Sequence, residues 1–297
     1  MKKNPEILCI GSMLWDIIGR SSLEMQVGSD VPGHITRLPG GVAMNIAMTL
    51  RRFGLRPALL SVVGNDQEGK ELINFATVFD LDIRYLYHSR DLPTDQYMAV
   101  EGSNGVIAAV ADAHSLEAAG DKILEPLSNG KLGTLAKPFS GLIALDGNLT
   151  AELIIEISTS ALFAFSDLRV APASPGKAER LLPLLKHKGA TLYVNVREAE
   201  LLCQTEFLSA ESASCGLVER GAHRAVVTNG PQEAALADID HCVTAMPPAV
   251  VAARLTGAGD TFMAAHIAAE LSGLKGKGSL QSALKAASNY VAGKLEN

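Results

Sequence analysis

The sequence has no apolar run long enough to cross a membrane and no cluster of lysines or arginines. A membrane-spanning helix needs about 20 consecutive apolar residues, so we expect no transmembrane segment. Asp and Glu number 32 against 26 Lys and Arg, which gives a formal net charge of −6 at pH 7. Because a negative surface repels phosphate backbones and anionic headgroups, neither nucleic acid nor a membrane is an expected partner. A small molecule is the partner that this composition favours.

Cysteine is also scarce, and the spacing of the four that are present fits no metal site. They occur in apolar or helical contexts, at Cys9, Cys203, Cys215 and Cys242. The first five residues lead directly into a short predicted strand, without the pattern of a secretory signal peptide. We therefore predict that these are reduced core thiols of a cytoplasmic protein.

What is present indicates an ordinary α/β domain. The 297 residues are 47% hydrophobic and 20% charged, enough for one large core with a small appendage. In the middle of the chain, Ala161–Phe165 and Thr191–Val194 predict strands, and the leucine spacing within Ala178–Lys188 predicts a helix between them. This β-α-β order favours a parallel sheet with helices on both faces.

Two stretches lack helical periodicity and predict a smaller, separate sheet. One covers residues 12–38, and the other is a predicted hairpin over 96–110 with a Ser-Asn-Gly turn. A buried strand is predicted just before the first stretch, and Asp16 follows its end, where α/β sheets bind ligands. The alternative for Asp16 is a turn aspartate that faces solvent.

Two adjacent glycines, Gly40 and Gly41, begin the next distinctive segment. Apolar residues at helical spacing predict a helix over residues 42–53, which Gly54 ends. Asn45 lies one turn into that helix. Because glycine lets a ligand approach the backbone closely, this segment predicts a binding site at the helix start.

A second glycine-rich turn, Gly257-Ala258-Gly259, precedes Asp260 and another predicted helix. Backbone N–H groups of such a turn point to one spot, and the helix dipole favours negative charge there. A carboxylate beside an anion site suggests a base that deprotonates a hydroxyl as it attacks a phosphate. The alternative is a tight turn followed by a carboxylate at a helix N-terminus. No Gly-Lys-Ser/Thr follows, so this is not a Walker A loop.

Together, Pro39–Gly54 and Thr256–Asp260 resemble the two signatures of the ribokinase-like (PfkB) carbohydrate and nucleoside kinases, and the resemblance covers nearly the whole chain. It implies a ribokinase-like three-layer α/β/α sandwich with a mainly parallel central sheet and a small β-sheet lid. It also implies a single kinase domain over residues 1–297, with lid strands from about 12–38 and 92–112. ATP would be the co-substrate, assisted by Mg²⁺.

The same resemblance, with the positions of polar residues at strand ends, implies roles for individual residues. Asp260 would be the base, with Gly257, Ala258 and Gly259 holding the developing negative charge through their backbone amides. Glu198 would hold Mg²⁺ through water. The expected substrate-binding residues are Asp16, His34, Gly40, Gly41, Asn45, Thr94, Asp112, Asp146 and Asn148. The expected ATP-binding residues are Asn195, Thr228, Gly230, Thr256, Gly257 and Gly259.

Structural alternatives remain for several of these residues. Asp146 and Asn148 could cap the helix predicted from Ala151, and Asn195 with Glu198 could cap the next one. The last two roles are compatible with Mg²⁺ binding. A lone histidine such as His34 in a β segment is often a surface residue.

Short segments resemble the pseudouridine kinases more than ribokinase or fructokinase. They are Pro32–Ile35, Thr94 with Tyr97, Ala111-Asp112 and Leu145–Leu149. This resemblance implies phosphorylation of the 5′-hydroxyl of pseudouridine. The alternatives are another PfkB kinase, of the ribokinase, fructokinase or ketodeoxygluconate kinase type, or a non-catalytic sugar- or nucleotide-binding regulator.

The sequence departs from the family pattern just before the second signature. Arg254 and Leu255 stand where many members have Asp and Thr, and that aspartate helps to hold a monovalent cation. Arginine has only hydrogen-bond donors and cannot ligate K⁺. Either its guanidinium supplies the missing charge or the cation site is lost, so a K⁺ requirement is left open. Exposed edges of the lid strands are compatible with a homodimer.

Overall fold

The computed structural model describes residues 5–294, which form a large sheet covered by helices and a smaller sheet beside it. Its strands are β1 (Ile7–Ile10), β2 (Leu14–Arg20), β3 (His34–Gly40), β4 (Pro57–Leu60), β5 (Val62–Gly64), β6 (Tyr87–Ser89), β7 (Gln96–Gly102), β8 (Gly105–Asp112), β9 (Leu142–Asp146), β10 (Asp167–Ala171), β11 (Ala190–Asn195), β12 (Arg224–Thr228), β13 (Ala234–Asp238) and β14 (Cys242–Ala245).

The helices over the same range follow the predicted pattern of alternation with strands. They are α1 (Val42–Arg52), α2 (Gln67–Val78), α3 (His114–Ala119), α4 (Glu125–Ser128), α5 (Ala151–Thr159), α6 (Val196–Cys203), α7 (Ala210–Glu219), α8 (Ala258–Leu271) and α9 (Lys277–Val291). Two 3₁₀ segments cover Gly120–Leu124 and Pro175–Leu184. No helix within residues 5–294 is both long and apolar enough to span a membrane.

The main sheet has the strand order β14-β13-β12-β11-β10-β9-β1-β4. Six of these strands run parallel, namely β12, β11, β10, β9, β1 and β4, and β13 and β14 continue the sheet antiparallel. Successive side chains of a strand point to opposite faces. In β1, Leu8 and Ile10 therefore pack with α5, α6 and α7, while Ile7 and Cys9 pack with α1, α2, α8 and α9. This confirms the predicted three-layer sandwich with a mainly parallel sheet.

The smaller sheet has the order β3-β2-β7-β8. The predicted hairpin is confirmed as β7 and β8, which pair antiparallel around a turn where Gly105 has φ +103°. The stretch 12–38 supplies β2 and most of β3, but residues 21–33 form no strand. On one face of this sheet, large apolar side chains are open to solvent, as Ile35 is 81% exposed.

One predicted strand is wrong. Residues 161–165 form turns after α5, and the strand of the main sheet is β10, at Asp167–Ala171. The amide of Phe163 donates to the Ser160 carbonyl as the chain reverses, and Phe165 is 72% exposed. β10 was missed because it carries Asp167 and Arg169, whose charges hide a buried strand.

The predicted helix over Ala178–Lys188 is also corrected. These residues begin within a 3₁₀ segment that ends at Leu184 and contains Pro183. Proline has no N–H to donate, so a regular α-helix is interrupted there. The leucine spacing was real, since Leu181 and Leu184 are buried against the main sheet.

The expectation of four core cysteines holds only for Cys9. Cys203 and Cys215 are half-buried, Cys242 is exposed, and all four are free thiols. Cys242 is exposed because it begins β14, the edge strand of the main sheet.

Candidate active site

A cavity of about 580 Å³ opens at the carboxyl edge of the main sheet, between that edge and the small sheet. Parallel strands β9, β11 and β12 end together there, which brings their last residues to one side. Of the residues predicted from the sequence, the cavity is lined by Asp16, Gly41, Asn45, Asn148, Asn195, Glu198, Thr228, Thr256, Gly257, Gly259 and Asp260. The two glycine-rich segments, more than 200 positions apart, thus share one cavity.

Asp260 lies in the first turn of α8, a helix that begins directly after Gly257. The φ of 85° at Gly257 closes the turn that precedes the helix. No side chain caps this helix N-terminus. Burial raises the pKa of Asp260 to about 7, opposed by a hydrogen bond from Asn45 and helped by the charges of Asp146 and Asp16. A carboxylate with a pKa near neutrality is suited to accept a proton from an alcohol at pH 7.

Asn45 contacts this carboxylate directly. Its Nδ2 donates to Oδ2 of Asp260 at 2.8 Å, which joins α1 to α8. The resemblance had given Asn45 a substrate role only, and a contact across 215 positions has no local signal in the sequence. The bond leaves Oδ1 of Asp260 with no protein donor among the described residues, and Asp260 itself lines the cavity.

The two early glycines make room for neighbouring groups. A Cβ on Gly40 would lie 2.0 Å from Oδ2 of Asp16, and one on Gly41 would lie 2.6 Å from the Ser12 carbonyl oxygen. Gly41 also has a φ of 93°, a backbone angle that residues other than glycine rarely adopt. These glycines therefore allow the start of α1 to pack against the residues that follow β1.

Asp16 lines the cavity from the small sheet. The sequence placed it just beyond the end of β1, but it lies within β2, opposite Leu38 of β3 and Tyr97 of β7. Burial raises the pKa of Asp16 to about 6. Hydroxyl groups of a ligand would stabilise the ionised form of Asp16 by donating hydrogen bonds to it. No donor among the described residues contacts this carboxylate.

Asp146 is only 1% exposed and does not line the cavity. Its Oδ2 accepts from the Ser12 amide at 2.8 Å and from the Ser12 hydroxyl, and its Oδ1 accepts from the Asn148 amide at 2.8 Å. It thus supports Asn148, which faces the cavity. The capping alternative is not observed, because Thr150 caps α5 instead.

Lys177 is a cavity residue that the sequence analysis missed. It lies in the 3₁₀ segment that follows β10, and its Nζ donates to Oδ1 of Asn148. Burial lowers the pKa of Lys177, and the charge of Asp146 opposes this effect. The sequence does show a lysine shortly after the end of β10, where cavity residues are expected. Because the strand was predicted at residues 161–165, Lys177 was not recognised as such a residue.

Asn195 and Glu198 begin α6 with a reciprocal capping box. The Asn195 amide donates to Oε2 of Glu198 at 2.8 Å, and the Glu198 amide donates to Oδ1 of Asn195 at 2.9 Å. Burial raises the pKa of Glu198 to about 7, although the hydrogen bonds with Asn195 act against it. Among the described residues no donor contacts Oε1 of Glu198. One free carboxylate oxygen at a cavity wall fits an ion that keeps most of its water, as Mg²⁺ does.

Thr256 links the glycine turn to the small sheet. Its hydroxyl donates to Oε1 of Glu101 in β7 at 2.9 Å, and Nε of Arg20 in β2 donates to Oε2 of the same carboxylate at 2.7 Å. This contact was not predicted. The turn before Asp260 is thus joined to the small sheet by a direct hydrogen bond.

The structure does not bring every predicted residue to the cavity. The Thr94 hydroxyl donates to Oδ1 of Asp66 at 2.6 Å and supports the start of α2. His34 is exposed at the first position of β3, and Asp112 is exposed and contacts Nδ1 of His114 at 2.6 Å. Gly230 lies in an exposed turn after β12. Gly40 lies behind Asp16, and Ala258 begins α8, both outside the residues that line the cavity.

Comparison with known proteins decides the family. Residues 4–294 match the model of the pfkB family carbohydrate kinases. The chain belongs to this family. It is therefore a phosphotransferase whose acceptor is an alcohol group, and the cavity that holds Asp260 is its candidate active site.

Individual relatives are distant. A pseudouridine kinase of Escherichia coli (strain K12) is 26% identical over 269 residues, which cover 89% of this chain and 83% of that protein. An uncharacterised sugar kinase of the same strain is 29% identical, but the match covers 51% of this chain and 41% of that protein.

Among solved structures, an Arabidopsis thaliana ribokinase complexed with ribose and ATP superposes with a TM-score of 0.77 at 20% identity. The superposition covers 99% of this chain and 94% of that one. This likeness supports the ribokinase-like fold. Identities in this range do not distinguish one acceptor from another within the family.

Proposed function

We propose that this PfkB-family kinase uses ATP to phosphorylate the 5′-hydroxyl of a ribose-containing substrate, with pseudouridine as the acceptor. The observation that carries the proposal is the hydrogen bond of Asn45 to Asp260, which unites both glycine-rich segments in one cavity. The cavity has a volume of about 580 Å³, which is in the range of small-molecule sites. The ribose would lie against Asp16, Asn45 and Asn148, whose side chains line the cavity.

In the proposed mechanism, Asp260 accepts the proton of the 5′-hydroxyl while that oxygen attacks the γ-phosphorus of ATP. A new O–P bond forms as the bond between the γ-phosphorus and the β,γ-bridging oxygen breaks, and ADP leaves. The amides of Gly257 and Gly259 stabilise the negative charge that develops on the transferred group. The Ala258 amide, expected to share this role, donates to the Leu255 carbonyl at 3.1 Å instead. Glu198 would hold Mg²⁺ through water, and the bound ion would neutralise phosphate charge.

The ATP side of the cavity is formed by residues at the ends of β11 and β12, among them Asn195 and Thr228. In this proposal the nucleotide lies against these strand ends. Lys177 and Asn148 supply donors that carbonyl oxygens of a pyrimidine ring would accept. They favour a nucleoside over a free sugar, because a base would offer Lys177 an acceptor in addition to Oδ1 of Asn148.

The nearest rival is a kinase for a free sugar such as ribose, since Asp16 and Asn45 would bind ribose hydroxyls without a base. A coupled assay of ADP release with pseudouridine, uridine, ribose, fructose and ketodeoxygluconate separates these activities. We expect pseudouridine to give the highest kcat/KM. A higher value for ribose would overturn the choice of acceptor, and no ADP release with any acceptor would favour a non-catalytic regulator.

A further inference from the structure

The residues around the glycine turn do not fit the monovalent cation site that the family resemblance implies. Arg254 offers only donors, so it cannot act as a ligand of K⁺. The carbonyl of Thr256 already accepts a hydrogen bond from the Tyr290 hydroxyl at 2.7 Å. This chain therefore has another arrangement at the place where relatives of this family carry an acidic ligand.

Arg254 packs closely on Tyr290 of α9. The centre of its guanidinium lies 3.7 Å from the ring centroid, and its Nε donates to the Tyr290 carbonyl at 2.8 Å. The amides of Ala253 and Arg254 both donate to the Val291 carbonyl, at 2.8 and 3.2 Å. The segment before the turn is thus attached to the end of α9 through both its backbone and its side chain.

The Tyr290 side chain packs against the backbone of the glycine-rich turn. A Cβ on Gly257 would lie 2.5 Å from the Tyr290 hydroxyl oxygen, so the tyrosine occupies the space left by the missing side chain. Burial raises the pKa of Tyr290, which keeps its hydroxyl protonated and able to donate. The phenol therefore contacts the turn at two adjacent residues, Thr256 and Gly257.

Among residues 5–294, no carboxylate forms an ion pair with Arg254. Its Nη2 is buried and has no hydrogen-bond partner among residues 5–294. The guanidinium of Arg52 lies near enough that burial and the charge of Arg254 together lower its pKa. Two neighbouring guanidinium groups add positive charge beside the turn, and the unpaired Nη2 of Arg254 remains an unsatisfied buried donor until an anion accepts from it.

We propose that Arg254 and Tyr290 replace a bound monovalent cation as the positioning residues of the Thr256–Gly259 turn. Tyr290 fixes the turn through Thr256, and Arg254 supplies the positive charge behind it. Turnover is then independent of K⁺. The inference rests on the proposed function, because it takes this turn to be the site of the transferred phosphoryl group.

The first experiment compares turnover in K⁺, Na⁺ and tetramethylammonium chloride at equal ionic strength. The wild-type kcat should agree within about twofold in the three salts, less than 0.5 kcal/mol in barrier height. Activation by K⁺ of about tenfold over tetramethylammonium would overturn the proposal.

The second experiment separates charge from packing at Arg254. We expect Arg254→Gln to lower kcat about tenfold, a loss of one weak electrostatic contribution, with the acceptor KM unchanged. Arg254→Lys retains the charge and should recover most of this loss. Arg84→Gln, at an exposed arginine paired with Asp82, is the control and should leave kcat unchanged. Full activity of Arg254→Gln would refute the role of the charge.

Tyr290→Phe tests the other half of the pair and keeps the ring on which Arg254 stacks. We expect kcat to fall about fivefold because the Thr256 carbonyl loses its donor. If an Arg254 variant does not fold, this variant alone decides, and an unchanged kcat would contradict the proposal.

Binding of MgATP by calorimetry keeps the inference separate from the choice of acceptor. If no acceptor in the panel is phosphorylated, the proposed function fails, but wild-type MgATP binding should still be equal in K⁺ and tetramethylammonium. Arg254→Gln should bind MgATP about three- to tenfold more weakly than wild type. MgATP binding that requires K⁺, or equal affinity of the variant and wild type, would overturn the inference on its own.

Discussion

The two ends of α8 differ in how completely their polar groups are satisfied. At the N-terminal end, the Asp260 carboxylate faces a cavity and receives one hydrogen bond from the described part of the chain, from Asn45. In the C-terminal half, His266 lies between the hydroxyls of Tyr193 and Ser279, at 2.8 and 3.1 Å.

The satisfied half also contains a largely buried ion network. Glu270 accepts hydrogen bonds from the guanidinium groups of Arg169 and Arg224. Burial lowers the pKa of His266 to about 4, although the charge of Glu270 opposes this, so the ring is neutral at pH 7. The C-terminal half of α8 is therefore anchored by its own protein contacts, while the N-terminal end has polar groups that can still bind a ligand. Substitutions at the open end should change rate, and those at the anchored end should change stability.

The largest effect is expected from Asp260→Asn. We expect kcat to fall about 10³-fold or more, because the amide cannot accept the proton of the attacking hydroxyl. ADP release in the steady state measures this, and calorimetry of MgATP shows whether binding survives.

Stability gives the control for that variant. The folded-state pKa of Asp260 is raised above its ordinary value of 3.8, so ionisation costs folding free energy as pH rises from about 4 to 7. The asparagine avoids this cost, and at pH 8 the variant should unfold at a urea concentration no lower than wild type. A variant that is less stable and fully active would reverse both expectations.

The anchored end gives the next effect. Glu270→Gln leaves Arg169 and Arg224 without their shared carboxylate, and we expect a loss of about 3 kcal/mol in the free energy of unfolding. Urea denaturation measures the loss. Glu71→Gln is the matched control, because the pair of Glu71 with Arg37 is exposed and should contribute under about 1 kcal/mol. Equal losses for the two variants would show that the buried network is not an anchor.

A smaller effect is expected at the contact between the two glycine-rich segments. Asn45→Ala removes the hydrogen bond that lowers the pKa of Asp260, so the midpoint of the rate profile should move to higher pH. We also expect kcat to fall about tenfold as the carboxylate loses its orientation. Asn129→Ala, at the exposed end of α4, should change neither quantity. An unchanged midpoint in the Asn45 variant would mean that this bond does not tune Asp260.

Local signals in the sequence predicted the parts of the site that glycine and helical spacing define. The start of α1 after Gly41 and the hairpin of β7 and β8 depend on backbone conformations that few other residues adopt. Asp260 was found in the same way, from the glycine turn before α8. These features are encoded within a few residues, so no knowledge of distant contacts was needed.

Contacts between distant segments could not be predicted in this way. The bond of Asn45 to Asp260 and that of Thr256 to Glu101 join residues 215 and 155 positions apart. The buried position of Arg169 in β10 was concealed because one of the carboxylates that neutralise its charge, Glu270, is 101 positions away. Lys177 was missed as a consequence, since its place at the cavity depends on where β10 ends.

The pH dependence of kcat/KM for the wild-type enzyme tests the central claim most directly, because only ionised Asp260 can act as the base. With a pKa of about 7 for this group and for Glu198, the rate should be level above pH 8 and fall at least about tenfold per pH unit below pH 6. A rate that stays constant from pH 8 down to pH 5 would contradict the assignment of Asp260 as the general base.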